Sequence, residues 1–217
     1  MSEIGNKERI QQKAHDLFME YGLRSVSMDD IANSLGISKK TIYQFFADKD
    51  ELVQAVLSDV ITNNKDCCER DVSISENAVH EIFIAMDMIV ETLGGMNPSL
   101  LFDMQKYHPT AYEKFRLYKN EFLYNVMRRN LLRGIEEGLY REDIDVEIMS
   151  RFRVESIMVC FNKEFQTQVK QNLVTIEQEI IQHYVHGVAN LKGHTLILKY
   201  KQERQKKQSN HAATKVK

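Results

Sequence analysis

Residues 27–52 read SMDDIANSLGISKKTIYQFFADKDEL, and this stretch decides the fold. Ser27 precedes a short apolar-periodic run, and Asp30 stands three places on, where a capping-box acid belongs. Ser38 precedes a second short run that ends near Phe46. Asp48 opens a third, again with an acid, Glu51, three places on. Ile31, Ala32, Leu35, Ile37, Ile42 and Phe45 are apolar, and the positions between them are polar. Two short helices joined through Gly36 have the geometry of a helix-turn-helix. The small Ala32 lets the helices cross closely, Gly36 supplies the φ > 0 that the turn requires, and Ile42 locks against Ile31 and Leu35. A second helix of about seven residues is unstable alone, so packing has to hold it.

Such a helix leaves its outer face free. Ser38, Lys39, Lys40, Thr41, Tyr43 and Gln44 project hydrogen-bond donors there, and none carries negative charge. Lysine can donate to guanine O6 and N7, and threonine can bond a base edge or touch a thymine methyl. Tyr43 and Lys49 suit phosphate contacts, and the capped helix starts at Ser27 and Ser38 offer backbone N–H groups to phosphates. The expectation is a short recognition helix lying in a major groove.

Outward from this stretch, apolar spacing predicts helices nearly throughout and no strands. The first spans about Lys7 to Gly22, with Ile10, Ala14, Leu17, Phe18 and Tyr21 on one face. The helix opened by Asp48 has a broad apolar face from Leu52 to Ile61, after which NNKDCCERDVSIS reads as a polar break. Further helices are expected over about Glu76–Gly94, Pro98–Tyr107, Pro109–Glu137, Asp145–Gln166 and Thr175–Leu191. Both prolines sit at helix starts, and Gly138 marks a stop. The plan is all-α: a helix-turn-helix unit over 1–50, a larger helical effector-binding and dimerisation unit over 51–195, and a basic tail over 196–217. Residues 199–217 hold seven Lys or Arg against one Glu and no apolar period, so the tail is expected to be unstructured.

Composition agrees with a helical globule. The 217 residues are 43% hydrophobic and 28% charged, with nine Gly and only two Pro. A net charge of −2 and a pI near 6.4 argue against a general nucleic-acid binder, so DNA contact has to be local. No apolar run reaches the ~18 residues of a membrane span, the first residues lack a signal-peptide core, and three cysteines with no framework spacing imply a reducing, cytoplasmic setting without membrane contact.

Residues 27–52 resemble the DNA-binding segment of the tetracycline-repressor (TetR) family of transcriptional regulators. The residues that carry the resemblance are Ser27, Gly36, Ile37, Ser38, Ile42, Tyr43, Phe45, Phe46, Lys49 and Leu52, and it covers about the first 55 positions. It implies that Lys39, Lys40 and Thr41 meet bases while Ser27, Ser38, Tyr43, Gln44 and Lys49 meet phosphates. Gln44 departs from the His common at that place. LLRGIEEGLYREDID, residues 131–145, resembles a recurring stretch of the family's C-terminal domains. The resemblance further implies a homodimer on a pseudo-palindromic double-stranded operator, released when a small molecule binds the C-terminal domain.

The remaining residues add expectations of their own. Ile157 to Phe161 are five consecutive apolar positions, and Ile180, Tyr184, Val188 and Leu191 share a face with Ile181 and Val185 beside it. Helices this apolar suit a two-fold, four-helix interface. Met and aromatic residues crowd the middle of the chain, and Phe83, Met86, Val90, Leu101, Met104, Tyr107, Tyr118, Phe122, Met158 and Phe161 are the candidate ligand-binding residues. With no Lys or Arg from Asp71 to Gln105, the ligand is expected to be largely apolar. Cys67, Cys68, Glu69 and His80 fit no common zinc spacing, so no metal or cofactor is expected. His183 and His186 read as surface residues, and Arg128, Arg129 and Arg133 with Glu136 and Glu137 as a solvated, paired face. No catalytic constellation is visible. The competing reading is a DNA-bound adaptor that recruits a protein partner without a small-molecule effector.

Overall fold

The computed structural model describes residues 3–214, with side chains for residues 5–206. The fold is all-α, and among the described residues no β-strand forms. Helices α1 (Glu3–Tyr21), α2 (Met28–Leu35), α3 (Lys39–Tyr43) and α4 (Lys49–Ile74) follow one another, then α5 (Ala78–Gly94), α6 (Leu100–Tyr107) and α7 (Pro109–Leu117). A π-helical segment over Tyr118–Leu123 leads into α8 (Tyr124–Glu136), followed by α9 (Val146–Ser156), a 3-10 turn (Val159–Phe161), α10 (Lys163–Val169), α11 (Leu173–Val188) and α12 (Leu191–Thr214). Short polar side chains cap most starts. Asp48, Asn77, Asp145, Asn162 and Asn172 each accept the N–H three residues on, satisfying a donor that the helix leaves open.

Three departures from the sequence expectation have physical causes. The polar stretch after Ile61 is not a break: α4 runs on to Ile74, because its Lys, Asp, Glu and Arg residues are compatible with helix and no Gly or Pro interrupts them. Its end is clamped by Arg133, whose Nη1 donates to Ser75 Oγ (2.7 Å) and Nη2 to Ser75 O (3.1 Å). Arg133 also pairs with Glu81 and Glu137, so it is a half-buried tie between α4, α5 and α8 rather than part of a solvated face. The expected helix over Asp145–Gln166 is divided by the 3-10 turn. Five consecutive apolar residues cannot share one helical face, and the turn buries Cys160 while Asn162 caps a new helix. Residues 199–214, expected as an unstructured tail, continue α12. Its first turns are anchored by the buried Ile197, just ahead of the basic run, and by the buried Tyr200, the second residue within it.

Three apolar clusters form the core. The first joins Ile10, Ala14 and Phe18 of α1, Ile31 and Ala32 of α2, Ile42 of α3, and Leu52, Val53 and Val56 of α4; Met104 and Ala111 enter it from α6 and α7. The second gathers Phe83, Met86, Leu131, Tyr140, Ile181, Val185, Val188 and Ile197. Gly134 is required there, since a Cβ would lie 2.1 Å from the Tyr140 ring. The third holds Cys160, Leu173 and Ile176.

Candidate nucleic-acid interface

The helix-turn-helix is set by local chemistry. At the start of α2, Asp30 N–H donates to Ser27 Oγ (3.2 Å), while the Asp30 carboxylate accepts from Ser27 N–H (2.8 Å) and Ser27 Oγ (2.6 Å). These donors hold Asp30 below its usual pKa, the Ser27 hydroxyl first and its N–H second. Gly36 ends α2 at φ 66° and ψ 32°, the left-handed region that an L side chain resists. Ser38 then accepts Thr41 N–H (3.1 Å), and the Ser38 and Thr41 hydroxyls share a hydrogen bond of 2.8 Å. The five-residue α3 is held by Ile42, which is fully buried against α1 and α2.

The outer face carries what the sequence suggested, with two differences. Lys40, Tyr43 and Gln44 are exposed, and Lys40 makes no side-chain hydrogen bond or ion pair within the described residues. Lys39 is also exposed but pairs with Asp29 of α2 at 2.7 Å, a bond that raises its pKa. A phosphate or guanine must therefore compete with Asp29 for its charge. Lys49 is turned inward: it donates to Leu23 O, lies 5.8 Å from the Phe18 ring centroid, and burial lowers its pKa against the opposing pull of Asp103 and Asp30. In this geometry it ties α4 to the α1–α2 turn.

A set of contacts that the apolar pattern does not reveal joins this unit to α6. Asn97 N–H donates to Met19 O (2.6 Å), and Arg24 N–H donates to the buried carboxylate of Asp103 (3.1 Å). Buried His108 sits 2.9 Å from Asp50 Oδ1 at the start of α4. The available signal was the acidic Asp103 between the apolar Leu101, Phe102 and Met104, and His108 at the helix end.

The ten candidate ligand residues are spread over several places. Phe83 and Met86 are buried toward α11 and α12, and Val90 is half-buried on the same helix. Leu101 is buried in α6, Met104 enters the helix-turn-helix core, and Tyr107 is exposed beneath the Arg24 guanidinium, 5.6 Å from its centroid. Tyr118 and Phe122 stack at 5.6 Å, with Lys65 of α4 placed 5.3 Å over Phe122. Met158 lines an open depression of about 400 Å³ with Val159 and Phe165, and Phe161 packs in the third cluster. The continuous α4 packs against both α5 and α7. The cation-free stretch is also supplied from elsewhere: Arg133 reaches Glu81 and Arg204 reaches Asp87. His186 is not simply a surface residue, since its Nδ1 lies 3.2 Å from that of His194. Among the described residues, no group of three His, Cys, Asp or Glu could hold a metal, and no helix is long and apolar enough to cross a membrane.

Comparison with known proteins converges on the same segment. Residues 10–56 match the model of the bacterial regulatory proteins of the tetR family. The HTH-type transcriptional regulator YvaF of Bacillus subtilis (strain 168) is 25% identical over 186 residues, covering 83% of this chain and 94% of YvaF. A tetR-family transcriptional regulator from Agrobacterium tumefaciens shares the fold with a TM-score of 0.73 at 14% identity, over 87% of this chain and 100% of that one. A transcriptional regulator from Saccharomonospora viridis, solved in complex with choline, shares it with a TM-score of 0.68 at 15% identity, over 86% of this chain and 99% of that one. With its capped α2, its left-handed Gly36 turn and its exposed α3 inside the matched residues, the N-terminal segment of the chain is a helix-turn-helix of the tetR family of bacterial regulatory proteins.

Proposed function

We propose that the protein is a repressor that binds a pseudo-palindromic operator as a homodimer and lets go when a small molecule enters its C-terminal helices. The observation that carries DNA reading is the outer face of α3, where Lys40 is exposed and free of any internal partner while Thr41 and Lys39 flank it. Lys39, Lys40 and Thr41 meet base edges, and Ser27, Ser38, Tyr43 and Gln44 meet phosphates. Lys49 positions α4 rather than reaching DNA. Exposed apolar side chains support pairing of two copies: Ile148 and Phe152 on α9, Phe165 and Val169 on α10, and Leu191 and Leu198 on α12, Leu191 being 87% exposed. Apolar side chains this exposed favour a second surface, and one helix-turn-helix reads only half a site. Control by a small molecule is supported by the shared fold of the choline-bound regulator. The depression at Met158 opens on the surface, and this favours the second reading, an adaptor that docks a protein partner there.

Selection from a random duplex library, followed by fluorescence anisotropy on the recovered site, tests the proposal. Recovered sites should be inverted repeats bound by two chains. Lys40→Ala should weaken the selected site by ~1–3 kcal/mol and relax specificity at one position of each half. Recovery of no common sequence, or equal weakening on selected and random duplexes, would refute base reading by α3.

A further inference from the structure

The cleft between α5, α11 and α12 has an apolar floor and a cationic rim. Phe83, Met86 and Ile197 form the floor, and His186, Lys201 and Arg204 stand around it, enclosing about 160 Å³. A cavity of about 150 Å³ is large enough for benzene. Both cations, Lys201 and Arg204, come from α12 and the imidazole comes from α11, elements that the sequence alone did not associate with a pocket.

These cations are weakly compensated. Lys201 Nζ donates to a neutral acceptor, Gln182 Oε1, at 2.8 Å. Arg204 Nε is buried and 2.7 Å from Asp87 Oδ1, yet the approach is too oblique for a hydrogen bond and the Nε donor stays unsatisfied. Asp87 itself is largely exposed, so water can take over its side of the pair. Arg204 Nη1 is 3.9 Å from Met86 Sδ, placing the guanidinium at the edge of the apolar floor. His186 and His194 face each other through Nδ1 atoms 3.2 Å apart, so one ring carries the Nδ1 proton and the other accepts it. Burial first, then His194 and Lys201, hold the His186 pKa below the usual imidazole range, and no carboxylate offsets them. A buried donor that Asp87 leaves without a hydrogen bond and two cations beside an apolar floor suit a compact anion carrying an apolar body.

We infer that this cleft binds a small carboxylic acid of benzoate size, its ring against Phe83, Met86 and Ile197 and its carboxylate between Arg204 and Lys201. The inference deepens the small-molecule control proposed above by naming a ligand class and a site, but binding itself rests on the cleft alone. The carboxylate accepts from the guanidinium in place of Asp87 and from Lys201 Nζ in place of Gln182. Added negative charge also raises the His186 pKa, so binding near neutral pH draws in protons.

Isothermal titration of the full chain with sodium benzoate, benzyl alcohol and benzylamine tests the site. Benzoate should bind saturably and the other two should not. Arg204→Gln should weaken benzoate about tenfold or more, the loss of a charge-assisted pair. Asp87→Asn should strengthen it several-fold by releasing Arg204, an effect that damage to folding cannot produce. The heat should depend on buffer ionisation in a way that His186→Gln removes. No saturable benzoate binding, or equal affinity across these variants, overturns the site. A parallel anisotropy titration on the selected duplex separates the two readings. Benzoate binding without loss of DNA affinity leaves the site standing and removes its link to repression.

Discussion

Lys39 and Lys40 are neighbours in sequence and differ in electrostatic state. Lys39 is held by Asp29 at 2.7 Å, while Lys40 is free of internal partners. Removing the competing acid with Asp29→Asn should strengthen binding to the selected site a few-fold more than binding to random duplex, because Lys39 reads a base edge. Anisotropy on both duplexes measures the difference, and equal gains on the two would show that Lys39 does not read a base. Lys49 makes the opposite case. The sequence places it beside the recognition helix as a phosphate ligand, but its ammonium is half-buried on the Leu23 carbonyl and the Phe18 ring. Lys49→Met should cost about 1.5–3 kcal/mol of stability, as for hydrogen bonds of charged groups, seen as a lower urea midpoint. The third residue-scale case is the Arg153–Glu177 pair, 2.7 Å apart and buried on both sides, with Glu177 Oε2 left without a donor. Burial raises the Glu177 pKa, and Arg153 opposes that rise. A carboxyl whose folded pKa exceeds its unfolded one binds more protons when folded, so stability falls as pH rises between the two values. Arg153→Met should cost roughly 3–5 kcal/mol at neutral pH by leaving a buried charge unpaired. That cost should shrink on acidification, and Glu177→Gln in the same chain should recover much of it. Equal losses in single and double variants at every pH would mean that Glu177 is already neutral.

Elements with strong local signals were legible in the sequence. The capping acids at Asp30 and Glu51, the Gly36 turn and the prolines at helix starts rest on contacts within a few residues, and each element they bound is present. What the sequence concealed depends on distant partners. The continuation of α4 is stabilised at its end by Arg133, 58 positions from Ser75. The ordering of α12 rests on Tyr200, whose hydroxyl meets Asn77 (2.8 Å) and Glu76 (3.0 Å) across the fold. The π-helical segment places Lys119 against both Glu155 oxygens at 2.8 Å, a contact that periodicity cannot anticipate. At this scale the apolar face of α9 carries a prediction. Phe152 is 50% exposed and Ile148 64% exposed, one turn apart. Phe152→Glu should leave helix content unchanged, because the side chain is already in water in the single chain, and should give monomers by analytical ultracentrifugation. A dimer that persists would place the interface on α12 instead.

At the scale of the whole molecule, the helix-turn-helix is continuous with the helices behind it. Its core receives Met104 from α6 and Ala111 from α7, and its α1–α2 turn is held by Asn97 and Asp103. A boundary near residue 50, which the sequence suggests, cuts through α4 one residue after it begins. Whatever moves α6 therefore moves the α1–α2 turn directly, without waiting on α4 to swing. The buried Asp103 carboxylate is the contact to break. Asp103→Asn keeps size and acceptor oxygen but removes the charge that favours Arg24 N–H and the Lys49 ammonium nearby. The expected cost is about 1 kcal/mol, the difference between a hydrogen bond to a charged acceptor and one to a neutral acceptor. The consequence that separates coupling from mere stability is local. In native-state hydrogen exchange, amides of α1 to α3 should lose protection while those of α11 keep theirs. A fragment of residues 1–74 should fail to show a cooperative transition, because it exposes the surface that Met104 and Ala111 cover. Uniform loss of protection across both regions in Asp103→Asn, or a cooperative fragment, would show that the helix-turn-helix folds on its own and that control must travel through α4 instead.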